Sequence, residues 1–137
     1  MSRIIFGLMW LLRFLPYPVI SIIGSATGTI VYWLIPERRR VTRVNLEKCF
    51  PAMKSEERNA LARAHFRAFC RSFVDRALWW WAPRARIERL VRIEGLEQLR
   101  AAMGKPGGAP VILFAPHFVG LDAGLTRLGC EANLVVM

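Results

Sequence analysis

The sequence is poor in acidic residues and histidines, and its cysteines are few and scattered. Ten Asp and Glu residues stand against 20 Lys and Arg, and there are two histidines. Cys49, Cys70 and Cys130 are odd in number and widely spaced, with no C-x-x-C pair. This spacing supports neither a disulfide framework nor a zinc site, and we expect reduced thiols facing the cytosol. A nucleophilic Cys130 has little support, because no neighbour in sequence would activate its thiol.

Positive charge is concentrated in the middle of the chain. Residues 36–100 carry 16 basic and 8 acidic groups, and 17 of the 20 basic residues in the whole chain are arginine. Such a block suits anionic lipid head groups, nucleic acid or an acidic protein partner. No helix-turn-helix or zinc-finger pattern accompanies it, and we therefore predict no nucleic-acid partner.

The N-terminal region is almost free of charge. Arg13 is the only charged residue from Ile4 to Ile35, and the run is divided by the prolines of "PYP" at 16–18. The second piece, residues 19–35, is 17 residues long and lies at the lower limit for crossing a bilayer core of about 30 Å. The arginines that follow it predict a cytoplasmic position for the rest of the chain. We predict a membrane anchor over residues 1–36.

Two other interpretations of this region remain open. Gly24-Ser25-Ala26 could be a signal-peptide cleavage site, but the apolar run continues well beyond it, which disfavours cleavage. Alternatively, two helices lie on the membrane surface. Gly24 and Gly28 form a G-x-x-x-G spacing, which suits close helix packing.

The basic middle is predicted to be helical. One short helix is expected between Pro36 and Pro51, and a long one from Ser55 to about Trp81. In the long helix, apolar residues recur at helical spacing and predict a buried face: Phe66, Phe69, Cys70, Phe73, Ala77 and Trp80. Arg63, Arg67 and Arg71 predict a solvated basic face, or one that touches lipid together with Trp79–Trp81. His65 is interpreted as a packing or surface residue.

After Pro83 the pattern changes to alternating strands and helices. This predicts an α/β fold with a partly parallel sheet, of which the chain holds only the first part. The expected elements are strands 90–95, 110–116 and 133–137, helices 96–103 and 119–129, and a loop at 104–108. Strand 110–116 is uniformly apolar and is predicted to be buried on both faces.

His117 directly follows this predicted buried strand, where ligands gather in α/β sheets. Asp122 is expected in the first turn of the next helix, where the helix dipole favours a carboxylate. A carboxylate bonded to one imidazole nitrogen leaves the other free to accept a proton from a hydroxyl. The pair therefore predicts base-assisted acyl transfer to an alcohol, with His117 as the base and Asp122 as its partner.

With this motif, the chain resembles the bacterial lipid A biosynthesis acyltransferases, and more broadly the glycerolipid acyltransferases with an H-x-x-x-x-D motif. The resemblance is carried by the apolar anchor, "RRRVTRVNLEKCFP" (38–51), "VRIEGLEQL" (91–99) and "VILFAPHFVGLDAG" (111–124). "N-L-x-x-C-F-P" (45–51) favours the lipid A branch. The resemblance extends over essentially the whole chain.

The resemblance implies transfer of a fatty acyl group from acyl carrier protein to a hydroxyl of the lipid A precursor. The location implied is the bacterial inner membrane, with the catalytic part facing the cytoplasm. Residues 37–137 would then be the N-terminal part of the catalytic domain, following the membrane anchor. His117 matches the family's base and Asp122 its carboxylate. No cofactor or metal is expected, and acyl carrier protein, being acidic, would suit the basic middle.

Family members are roughly twice as long as this chain, and a downstream arginine motif is missing. We therefore expect a fragment or truncated product that is inactive or nearly so by itself. Two other functions remain open. One is a glycerolipid acyltransferase of the lysophosphatidic acid type, and the other is a non-catalytic basic module that binds membranes.

Overall fold

The computed structural model describes residues 2–103 and 111–132, and all of the regular secondary structure in these residues is helical. They form seven helices and no strand: α1 Ser2–Leu12, α2 Tyr17–Leu34, α3 Pro36–Cys49, α4 Ser55–Trp81, α5 Arg84–Leu90, α6 Leu96–Met103 and α7 Leu121–Gly129. The chain divides into two compact units, Met1–Trp81 and Ala82–Met137. We call them the N-terminal unit and the C-terminal unit and describe each by itself.

The predicted α/β class is wrong for the described residues. Residues 111–118 have no regular secondary structure and are exposed, and Phe114 is 98% exposed. The predicted strand 90–95 is not formed: Leu90 ends α5, residues 91–93 have no regular structure, and residues 94–95 form a bend before α6. A strand needs a neighbour for its backbone hydrogen bonds, and no described segment provides one. The predicted strand 133–137 and loop 104–108 lie outside the described residues.

The helices of the N-terminal unit follow the proline and capping signals, although α2 is Tyr17–Leu34 where the second apolar piece was given as residues 19–35. α1 ends before "PYP", and α2 carries Pro18 in its first turn, where a missing N–H costs no helical hydrogen bond. α3 fills the interval between Pro36 and Pro51, and α4 covers the predicted span Ser55–Trp81. One described helix, α2, is long and apolar enough to cross a membrane by length and composition.

The core of the N-terminal unit lies between α2 and α4. Tyr32 packs edge-on against Phe66 with ring centroids 5.3 Å apart, and Ala62 completes this buried cluster. Gly24 and Gly28 are both buried against α4, which confirms the G-x-x-x-G as a packing face. A Cβ built on Gly24 would lie 2.6 Å from Arg71 Cα, so only glycine permits this approach of the two backbones.

The predicted buried face of α4 is confirmed only in part. Phe66, Cys70 and Ala77 are buried, but Phe69, Phe73 and Trp80 are each more than half exposed. The reason is that α2 contacts α4 along Arg67 and Arg71, on a face rotated away from these two phenylalanines.

One charged side chain is buried in this unit. Asp75 of α4 is only 7% exposed, and its Oδ1 has no hydrogen-bond partner. Burial raises the pKa of the Asp75 carboxyl, while Arg71 and a hydrogen bond from Tyr17 act in the opposite direction. The carboxylate is therefore held in an environment that disfavours its charge.

Candidate active site

His117 lies at the centre of a tight turn in the C-terminal unit. The Phe118 N–H donates to the Pro116 carbonyl over 2.8 Å, which closes a three-residue turn around the histidine. The His117 side chain is exposed. The turn thus reverses the chain at the histidine and leaves the imidazole accessible to another molecule.

A second turn connects His117 to helix α7. The Leu121 N–H donates to the Phe118 carbonyl over 3.1 Å. Gly120, the third residue of this turn, has φ 97° and ψ 0°, values that match the glycine position of a type II turn. A residue with a Cβ is strained in this conformation, so "VGLD" has glycine where the backbone requires it.

Asp122 lies in the first turn of α7, as predicted, although the helix begins at Leu121 rather than Val119. The Ala123 and Gly124 N–H groups both donate to the Gly120 carbonyl, so the start of the helix is hydrogen-bonded to the turn. A carboxylate is favoured here by the positive end of the helix dipole. His117 and Asp122 therefore lie on the two sides of one hydrogen-bonded turn.

α7 is fixed in the C-terminal unit by an arginine near its end. Arg127 Nε donates to the Val91 carbonyl over 3.2 Å, and its guanidinium also pairs with Glu131. Glu131 accepts a second bond, 2.7 Å long, from Arg100 of α6. The hydrogen bond from Arg127, and to a smaller extent the one from Arg100, lowers the pKa of the Glu131 carboxyl below its usual value.

Sequence reasoning missed this arrangement of two arginines on one carboxylate. The i, i+4 spacing of Arg127 and Glu131 was a signal for part of it, because such pairs are neighbours on a helical turn. Arg100 could not be assigned, since it is 31 positions from Glu131. The network matters for the site because it holds the helix that carries Asp122.

Within the described ranges, no group of three or more His, Cys, Asp or Glu side chains could hold a metal ion. Cys130 is half-buried, and its thiol lies 3.4 Å from the Thr126 carbonyl in the preceding turn of α7. His65 is exposed on α4 beside Phe66 and Phe69, in the surface role that the sequence predicted.

Comparison with known proteins assigns the family of this chain. The sequence pattern described as "Bacterial lipid A biosynthesis acyltransferase" matches residues 2–135. The chain belongs to the bacterial lipid A biosynthesis acyltransferase family.

Individual relatives agree with this assignment. The chain is 32% identical over 123 residues to the lipid A biosynthesis palmitoleoyltransferase of Escherichia coli K12, covering 90% of this chain and 40% of the relative. It is 30% identical over 125 residues to the lipid A biosynthesis lauroyltransferase of the same organism, covering 91% and 40%. A lipid A biosynthesis acyltransferase of Haemophilus influenzae is 32% identical over 117 residues, covering 84% and 36%.

The chain thus spans about two fifths of the length of these curated relatives. No solved structure matches it significantly.

Proposed function

We propose that this chain provides the N-terminal part of an enzyme that transfers a fatty acyl group to a hydroxyl of the lipid A precursor. The donor in this proposal is an acyl thioester of acyl carrier protein. Residues 1–36 anchor the enzyme to the bacterial inner membrane, and residues 37–137 begin the catalytic domain on the cytoplasmic side. Membership of the acyltransferase family supports the reaction type.

His117 is the general base of the proposed reaction. One ring nitrogen accepts the proton of the acceptor hydroxyl while the hydroxyl oxygen attacks the thioester carbonyl carbon. The tetrahedral intermediate then collapses, the carbon–sulfur bond breaks, and the imidazolium returns its proton to the leaving thiolate. Asp122 stabilises the positive charge on the ring and sets its orientation. The observation that carries this assignment is the double turn with Gly120, which connects the two residues.

The basic middle of the chain has a place in this proposal. Residues 36–100 carry a surplus of basic groups, 16 against 8 acidic. An acidic carrier protein and the phosphate groups of a lipid acceptor both complement such charge, and arginine favours bidentate contacts with phosphate. We expect some of these arginines to contact the acceptor and the donor.

The test uses the chain extended to the length of its relatives, with an acyl carrier protein thioester as donor and a lipid A precursor as acceptor. His117→Ala and Asp122→Ala should each lower the transfer rate by about 10²–10⁴-fold, the usual contribution of a general base. His65→Ala is the matched control, because His65 is the only other histidine and lies on the other unit. Near-normal transfer by His117→Ala would refute the assignment.

A competition arm distinguishes the acceptor class. Lysophosphatidic acid is added in excess over the lipid A precursor in the same assay. We expect acylation of the lipid A precursor to persist, whereas preferential acylation of lysophosphatidic acid would assign a glycerolipid acyltransferase instead. If neither acceptor is acylated but the chain still binds vesicles, the result would support a non-catalytic membrane-binding module.

A further inference from the structure

Helix α2 has two opposite faces with different surroundings. Its buried residues, Ile20, Gly24, Gly28 and Tyr32, recur every fourth position. On the opposite side, Ile22 is 68%, Ile30 57% and Trp33 65% exposed. One face of α2 is therefore covered by protein along its length, while the other exposes large apolar side chains.

The helix that covers α2 carries arginines at the points of closest approach. A Cβ built on Gly24 would lie 2.6 Å from Arg71 Cα, and one built on Gly28 would lie 2.5 Å from Arg67 Cα. Both arginine side chains are nevertheless exposed. Their aliphatic stems thus start against α2, and their charged heads extend to the surface beside it.

These contacts disfavour an α2 that crosses a bilayer. At 1.5 Å per residue the 18 residues of α2 are about 27 Å long, close to the roughly 30 Å of a bilayer core. Gly24 and Gly28 lie near the middle of the helix, so a crossing α2 would place the Cα atoms of Arg67 and Arg71 near the bilayer centre. Arginine there costs about 2.5–3.5 kcal/mol per residue on insertion scales.

We infer that α2 lies in the plane of the membrane, with its Ile22, Ile30 and Trp33 face in the lipid and α4 packed on its other side. The partner surface is a bilayer with anionic phospholipids. Its phosphates complement the exposed heads of Arg67 and Arg71, and its acyl boundary accepts the apolar face. This inference rests on the membrane location in the proposed function, and it adds the orientation of the anchor.

Helix α1 fits the same orientation. It has 11 residues, or about 16 Å of helix, which is too short to cross the bilayer. Ile4 and Leu8 on it are largely exposed, while Phe6 contacts Trp80 of α4 with ring centroids 6.2 Å apart. Arg13, which follows α1, lies 4.6 Å from the ring centres of both Trp10 and Phe14, a grouping suited to the head-group region.

The two orientations predict different positions for the N-terminus. If α2 crosses the membrane, residue 3 and residue 49 lie on opposite sides; if α2 lies in the plane, both face the cytoplasm. Cys49 is exposed and serves as one reporter once Cys70 and Cys130 are replaced by alanine. The second reporter is Arg3→Cys in a chain with all three native cysteines replaced.

A membrane-impermeant maleimide is then applied to inverted and right-side-out membrane vesicles. We expect both positions to be labelled in inverted vesicles and neither in right-side-out vesicles. Labelling of the two positions from opposite sides would overturn the inference. The acyl-transfer assay is independent of this result, so failure of the orientation and failure of the proposed reaction can be distinguished.

A second measurement identifies the face of the N-terminal unit that contacts lipid. Ile22→Ser should reduce flotation of the chain with phosphatidylglycerol-containing vesicles by several-fold, because it removes an apolar side chain from the proposed lipid face. Phe69→Ser is the matched control. Phe69 is 53% exposed. It is two residues from both Arg67 and Arg71, which contact α2, and two helical steps place it on the side of α4 opposite α2. Unchanged binding of Ile22→Ser, or loss of binding only in Phe69→Ser, would overturn the inference.

Discussion

Replacing Gly28 by alanine tests the close approach of α2 and α4 directly. The added Cβ would lie 2.5 Å from both Arg67 Cα and the Phe66 carbonyl oxygen. Carbon atoms in contact prefer about 3.5–4.0 Å, so the helices would have to separate by about 1 Å. The atoms that clash belong to the backbone and cannot rotate away. We therefore take the upper part of the range of about 1–3 kcal/mol for overpacking.

The gain in helix propensity from glycine to alanine, about 1 kcal/mol, offsets part of this cost. We expect a net loss of about 2 kcal/mol in the free energy of unfolding. For a unit of 81 residues this lowers the Tm by roughly 10 °C, measured by circular dichroism at 222 nm in detergent micelles. Gly7→Ala is the control, because a Cβ there meets nothing within 4 Å, and it should leave the Tm unchanged or slightly raised. A Gly28→Ala protein as stable as the wild type would refute the packing argument.

Two further substitutions test the buried acid and the turn before α7. Asp75→Asn should raise the Tm of the N-terminal unit at pH 7. Because burial raises the Asp75 pKa above its usual 3.8, the wild type should gain stability as the pH falls toward that value, and the variant should lack this dependence in thermal melts from pH 4 to 7. A variant less stable than the wild type at pH 7 would contradict this. Gly120→Ala, at φ 97°, should cost about 1–2 kcal/mol and lower acyl transfer in the extended chain, and undiminished transfer would show that the turn does not position His117.

The helices were predictable because their signals are local. Pro16 stands between α1 and α2, Pro18 lies in the first turn of α2, and the serine and acidic residues at 55–57 mark the start of α4. α6 agreed with its predicted span, and α7 started two residues later than expected. The candidate site could be predicted for the same reason, because it also depends on local sequence. His117 and Asp122 are five positions apart, so the residues between them determine the turn that connects them.

What could not be predicted depends on distant parts of the chain. The apolar run 111–114 was interpreted as a buried strand, but composition alone cannot provide the neighbouring strands that such a segment requires. G-x-x-x-G indicated a packing face on α2 without identifying α4 as its partner. Asp75 did leave a signal, since it is the only acidic residue between Glu57 and Glu88, but its burial follows from how α2 and α4 meet.

The exposed segment from Val111 to Phe114 has a consequence for the behaviour of this chain at high concentration. Its side chains are apolar and uncharged, with the β-branched residues that favour pairing between molecules. Proline cannot donate a backbone hydrogen bond to a neighbouring strand, and Pro110 and Pro116 stand at the two ends of the run. The two prolines therefore limit self-association, because an intermolecular sheet can include only the five residues between them.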